Sequence, residues 1–111
     1  MQFAVEFRAN SLMASKEVEF HESASLEYEA ALDWYLERSE PAAARFADEL
    51  NRAIAKIAEA PQRWQADNQG TRKFFLTRFP FVIVYRELTA AIQILAVAHG
   101  HRRPGYWKKR L

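Results

Sequence analysis

RKFFLTRFPFVIVYRELTAAIQILAVA, residues 72–98, consists of three aromatic and β-branched runs, Arg72 to Arg78, Phe81 to Arg86 and Ala91 to Ala98. They are separated by Phe79-Pro80 and by Glu87-Leu-Thr-Ala90. Runs of this length and composition suit β-strands, and connections this short predict an antiparallel meander. The second and third runs are apolar at both parities, which predicts inner strands covered on both faces.

Upstream the period changes. Lys16 to Phe20 alternates polar and apolar residues and reads as a short first strand. From Ala24 to Ser39, Tyr28, Ala31, Leu32, Tyr35 and Leu36 recur at helical spacing, with Ser23 or Ser25 positioned to cap and His21, at the helix start, read as a capping or surface residue. Ser39-Glu-Pro41 breaks that helix and starts another, because proline is best tolerated in a first turn. Over Ala42 to Ala60 the stripe is Ala43, Phe46, Leu50, Ala53, Ile54 and Ile57, and Pro61 stops it. Two helices joined this closely predict an antiparallel hairpin. Residues 61–71 are polar and turn-rich and read as a surface loop. The expected fold class is α+β, a two-layer β-α-α-β-β-β unit with an antiparallel sheet, the helical hairpin on one face, and a short basic C-terminal tail. A tail so short and charged is expected to leave apolar sheet surface for a partner.

The 111 residues suffice for one modest core, and half of them are apolar. The expected organisation is one domain over residues 16–111, preceded by an N-terminal extension over residues 1–15. Glu6 and Arg8 interrupt the apolar pattern of that extension, so it fails as a signal segment. With no cysteine the chain has neither disulfides nor thiolate metal ligands, and the cytoplasm is its expected compartment. Residues 1–60 carry six Lys/Arg against twelve Asp/Glu, net −6, whereas residues 61–111 carry ten against two, net +8. Such asymmetry favours a polyanionic or acidic partner over a membrane, since the cations lie on strands and a tail rather than on an amphipathic helix. The cations after Ala60 are expected to gather on a single sheet surface.

Several segments resemble the RelE/ParE superfamily of toxins from type II toxin–antitoxin systems. Phe20-His-Glu-Ser-Ala24 resembles that family's strand-to-helix entry, while Trp34-Tyr35, Ala44-Arg-Phe46 and Ala60-Pro61 resemble its helical hairpin. Phe79-Pro-Phe-Val-Ile-Val-Tyr85 resembles its third strand, and Ala96-Val-Ala-His-Gly-His-Arg-Arg-Pro-Gly-Tyr-Trp107 its ending. The likeness spans residues 16–111, and Met13 stands where such toxins usually begin, so Met13 is an expected natural start. The resemblance implies a growth-inhibitory protein, of the kind used in plasmid stabilisation, neutralised by a cognate antitoxin with an acidic C-terminal segment. The ending is closer to the ParE-type branch, whose characterised members poison DNA gyrase without cleaving RNA. The alternative is a RelE-like, ribosome-dependent messenger RNA endoribonuclease, and a second alternative is an inactive basic interaction domain.

RNA cleavage needs a base for the 2′-hydroxyl, cations for the phosphate and an acid for the leaving oxygen. For that chemistry the candidates are Arg78, Tyr85, Arg86, His99 and Arg102. Histidine is the usual side chain for moving protons at physiological pH, which singles out His99, and arginine's planar fork grips phosphate oxygens. Arg72, Lys73, Arg103, Trp107 and Lys108 are candidates for contact with the target or with RNA, Trp107 through stacking. Each has a plainer reading: a solvated basic strand face for the cations, a strand-end hydrogen bond for His99, and core packing for Tyr85 and Trp107. No spacing converges His21, His99 and His101 on carboxylates, so no metal site is expected, and no motif calls for a cofactor. Of the ribonuclease branch's lysine-rich entry to the second strand, this chain has only Arg72-Lys73.

Overall fold

The computed structural model describes residues 16–111. The expected N-terminal extension and the possible start at Met13 lie outside the described residues. In chain order the elements are β1 (Glu17–Phe20), α1 (Glu22–Leu36), α2 (Glu40–Glu59), β2 (Thr71–Phe75), β3 (Phe81–Glu87) and β4 (Ala91–His99). Short 3₁₀ turns follow at Pro61–Arg63 and Lys108–Arg110. The cap of α1 is His21, whose Nδ1 accepts from the Ser23 N–H at 3.0 Å, so the helix starts before either candidate serine. Ser39 caps α2, its hydroxyl accepting from the Ala42 N–H at 3.2 Å.

The protein is a mixed α+β fold, two helices and a four-stranded sheet in the order β1-β4-β3-β2. The antiparallel expectation is corrected. β2, β3 and β4 form antiparallel pairs, but β1 lies parallel to β4, with Glu17 opposite Ala91 and Phe20 opposite Ile94. Alternation along a strand reports which residues share a face, and it reads identically in either direction, so the sequence pattern is blind to this choice.

Between β3 and β4 the register shifts: Val84 faces Ala96 while Tyr85 faces Ile94, leaving Leu95 as an extra residue. This bulge re-sorts the side chains of β4. Ile92, Ile94 and Val97 join a core cluster with Phe46, Leu50, Ile54 and Ile57 of α2, Tyr28 and Ala31 of α1, and Ile83 and Tyr85 of β3. Leu95, Ala96 and Ala98 join Val84 in a second cluster, which Trp107 closes at 3% exposure, with Val82 and Tyr106 packed beside it. His99 therefore shares a face with Val97, not with Leu95 as unbroken alternation predicts.

Phe46 of α2 is fully buried, with Tyr35, Phe81 and Phe79 rings at 5.1, 5.2 and 5.4 Å. The α2 stripe read from sequence is buried throughout, whereas Leu36, counted in the α1 stripe, is 48% exposed at the helix end. The tail also departs from expectation. It turns at Gly105, whose φ of 75° disfavours any residue with a Cβ, and lays Tyr106 and Trp107 on the second cluster. Apolar surface that the tail was expected to leave open is thus covered by the chain itself.

Candidate functional site

The sequence candidates do not come together. Tyr85 is fully buried and its hydroxyl donates to the Pro61 carbonyl at 2.7 Å, so its place as a catalytic group is corrected to a strut between β3 and the end of α2. Trp107 is likewise a core residue rather than an exposed stacking platform. Arg86 donates to the Gln93 side chain at 2.9 Å on the face shared with Val84. His99 pairs with Phe81 at the far end of β3, on the opposite face. Five residues of strand separate their positions, about 17 Å at roughly 3.4 Å per residue.

The remaining cations scatter too. Arg72 shares the Tyr85 face and donates to the Trp64 carbonyl, whereas Lys73 lies across from Val84 on the other face. Arg78 sits in the turn after β2, where Glu49 accepts the Thr77 and Arg78 backbone N–H groups at 2.5 and 3.2 Å. Lys108 is exposed and lowers the Asp67 carboxyl, though less than the Thr71 hydroxyl bond does. The expectation of one cationic sheet surface is corrected, because strand alternation sends successive cations to opposite faces.

Two sequence candidates do share a surface. His99 and Arg102 line a groove of about 430 Å³ between α1, the start of β3, the end of β4 and the tail. Glu27, Ala30, Ala31, Trp34 and Tyr35 of α1 form its wall, with Pro80 and Phe81 opposite. Trp34 stands edge-on to Tyr35 at 5.1 Å and is 52% exposed, with the Arg38 guanidinium 3.8 Å above its ring. The Phe81 ring meets His99 at 5.1 Å, and the His99 Nδ1 accepts from the His101 N–H at 3.1 Å. Neutral His99 therefore carries its proton on Nε2. Arg102 stacks on Tyr106, its guanidinium carbon 3.9 Å from the ring centroid.

Glu27 holds the floor of this region. β1 stops pairing at Phe20, after which the His21 N–H bonds to the Ile94 carbonyl at 2.8 Å. Beyond that point the edge of β4 that faced β1 has no strand partner among the described residues, and side chains satisfy it. The Glu27 carboxylate accepts from the Val97 N–H at 3.0 Å, and Arg110 donates to the Leu95 carbonyl at 2.9 Å. Arg110 also forks onto Glu27 at 3.0 and 2.9 Å, and the Tyr106 hydroxyl donates to Glu27 at 2.7 Å. Burial, then the Glu27 carboxylate, pushes the Tyr106 phenol far above its ordinary value, and Glu27 likewise raises Arg110. Sequence reading missed Glu27, Ala30, Trp34 and Arg110 as parts of one site. The available signal was helical spacing, since positions 27, 30, 31 and 34 share one face of α1.

Burial drives the Tyr85 phenol up to about 12. A folded value above the unfolded one means that Tyr85 contributes stability fully below about pH 10, and that this contribution fades as pH rises toward 12. Tyr85→Phe is expected to flatten the alkaline loss of stability between those limits, as read by denaturant unfolding across a pH series. An unchanged slope would mean that another group governs alkaline unfolding.

The groove lining is mostly apolar, with Glu27, His99 and Arg102 as its ionisable members beside the tyrosines, which suits binding of a protein segment more than acid–base chemistry. Among the described residues no three His, Asp or Glu cluster as metal ligands, and no helix is long and apolar enough to cross a membrane. Residues 18–104 match the family model for the ParE toxin of type II toxin–antitoxin systems, parDE. No curated protein matches the chain. The fold is similar to the solved chromosomal ParDE TA system from P. aeruginosa, with a TM-score of 0.65 at 22% identity, covering 80% of this chain and 98% of that one.

Proposed function

This chain belongs to the ParE toxin family of type II toxin–antitoxin systems, and on that premise we propose that it is a cytoplasmic, growth-inhibitory toxin that acts by binding, with DNA gyrase as its target. The observation that supports binding over RNA cleavage is the separation of the acid–base set. Tyr85 is buried and bonded to Pro61, and Arg86 and His99 lie on opposite faces of the sheet. General acid–base catalysis requires its groups within hydrogen-bond reach of one reacting phosphate, which this arrangement does not offer.

Neutralisation falls to a cognate antitoxin whose acidic, amphipathic segment docks in the groove, apolar side chains against Ala30, Trp34 and Phe81 and carboxylates toward Arg102. An exposed tryptophan beside an apolar groove is a typical binding anchor, so Trp34→Ala is expected to weaken antitoxin binding by about 2 kcal/mol, roughly thirtyfold.

The deciding experiment is induced expression in a bacterial host without antitoxin, with separate readouts for replication and translation. Gyrase-dependent double-strand breaks with intact messenger RNA are expected. Codon-linked cuts that vanish in an Arg86→Ala, His99→Ala variant would replace this reading with the endoribonuclease. Growth arrest with normal supercoiling and replication would remove gyrase as the target, and harmless expression would leave an inactive interaction domain.

A further inference from the structure

Most cations of the C-terminal half are dispersed, but four converge where the tail folds back beside the start of α1. Arg102, Arg103, Lys109 and Arg110 line one concavity of about 520 Å³, together with Tyr106. The turn through Gly105, closed by the Tyr106 N–H on the Arg103 carbonyl at 3.2 Å, brings the two pairs face to face from positions seven residues apart. Arg110 is neutralised by its fork on Glu27 and is 12% exposed, so it builds the back wall. Among the described residues, Arg102, Arg103 and Lys109 have no carboxylate partner. Three unneutralised cations therefore face one space, against mutual repulsion.

From this arrangement we infer a site for phosphate groups, formed by Arg102, Arg103 and Lys109, which adjoins the apolar groove and shares Arg102 and Tyr106 with it. Charge and geometry favour phosphate over a single peptide carboxylate. A single carboxylate carries one charge and would leave two of the three cations unmatched, whereas a terminal or free phosphate carries about two charges and consecutive backbone phosphates bring one each. Phosphate presents its charge over several oxygens in tetrahedral directions, which converging guanidinium and ammonium groups can share. Arg102 is already immobilised by stacking on Tyr106, so less side-chain freedom is lost when an anion arrives. The Ser23 side chain lines the same space and adds a neutral donor. The phosphate can belong to a nucleic-acid backbone or to a free phosphate compound, since the recognising chemistry is shared.

The inference stands apart from the toxin assignment and is tested on purified full-length protein. Inorganic phosphate, pyrophosphate and a short single-stranded oligonucleotide are titrated separately, following the nuclear magnetic resonances of Tyr106 and Ser23. A binding isotherm is recorded over a salt series. Three cations predict a slope of log K on log salt of about −2 for the single-stranded oligonucleotide, its magnitude shrinking by about 0.7 in Arg103→Ala and by about as much again when Lys109→Ala is added. Both substitutions are at exposed positions, and Arg45→Ala, an exposed cation on α2, is expected to leave binding unchanged. Oligonucleotide binding with this dependence supports the site and assigns it to a nucleic-acid backbone. Binding of phosphate or pyrophosphate alone, lost in the same two variants, supports it as a site for free phosphate compounds. The inference is overturned if none of the three probes binds, if binding ignores Arg103 and Lys109, or if an acidic peptide binds there in preference to every phosphate probe.

Discussion

Glu27→Ala is expected to lower the unfolding free energy by about 3 kcal/mol, because removing one partner of a buried ion pair leaves the other charge stranded. The side chains of Glu27 and Arg110 are only 16% and 12% exposed. The same change orphans the Val97 N–H and the Tyr106 hydroxyl, both of which donate to this carboxylate. For a domain of this size the loss corresponds to a fall in melting temperature of roughly 15 °C. Glu27→Gln should fall between wild type and alanine, since it keeps an acceptor but not the charge. The double variant Glu27→Ala, Arg110→Ala should lose clearly less than the two single losses added together, because it leaves no stranded charge. Thermal and denaturant unfolding of wild type, the two Glu27 variants, Arg110→Ala and the double variant measures this directly. Strict additivity would show that the pair does not tie the tail to the sheet.

Trp107→Ala carries an expected loss of about 3–5 kcal/mol, the range for removing a large aromatic from a packed interior. Trp107 is the lid of the second core cluster, over Val84, Leu95, Ala96 and Ala98. Its removal would open apolar sheet to water, so dye binding to exposed apolar surface and self-association should rise with the instability. Trp107→Phe refills most of the volume and should recover much of the stability. Growth inhibition should then follow the folded fraction of each variant. A Trp107→Ala protein that unfolds like wild type yet no longer inhibits growth would return this residue to the target-contacting surface.

Element type was legible in the sequence wherever side-chain periodicity was long. The α2 stripe from Ala43 to Ile57 spans four turns and buries as read. The two-sided apolarity of β3 and β4 requires inner positions, which the sheet order gives them. Boundaries moved by up to three residues, as at the ends of α1 and β2. At α1 the cap is His21, since an imidazole nitrogen can accept the N–H that a serine hydroxyl was expected to take.

The candidate site was less legible. His99 was named at the end of the fourth strand for its acid–base chemistry and Arg102 as a phosphate-gripping cation, and both line the groove. Tyr85 and Trp107 were named for what their side chains can do, but the fold uses them as packing. Arg86 and His99 were candidates for one reaction, the arginine to grip phosphate and the histidine to move a proton. The sheet separates them by face and by length, which a linear pattern does not encode.

By itself the sequence determined where helices and strands form, which residues face inward, and how unevenly charge is divided along the chain, because these follow from local periodicity and composition. Tertiary structure alone decided the parallel pairing of β1 with β4, the bulge at Leu95 that re-faces His99, and the folding back of the tail onto the sheet. It also decided that Glu27, Tyr106 and Arg110 meet, and that three unpaired cations share one pocket. Each of these depends on contacts between segments up to 83 residues apart, whose free energy exists only once the chain has closed on itself.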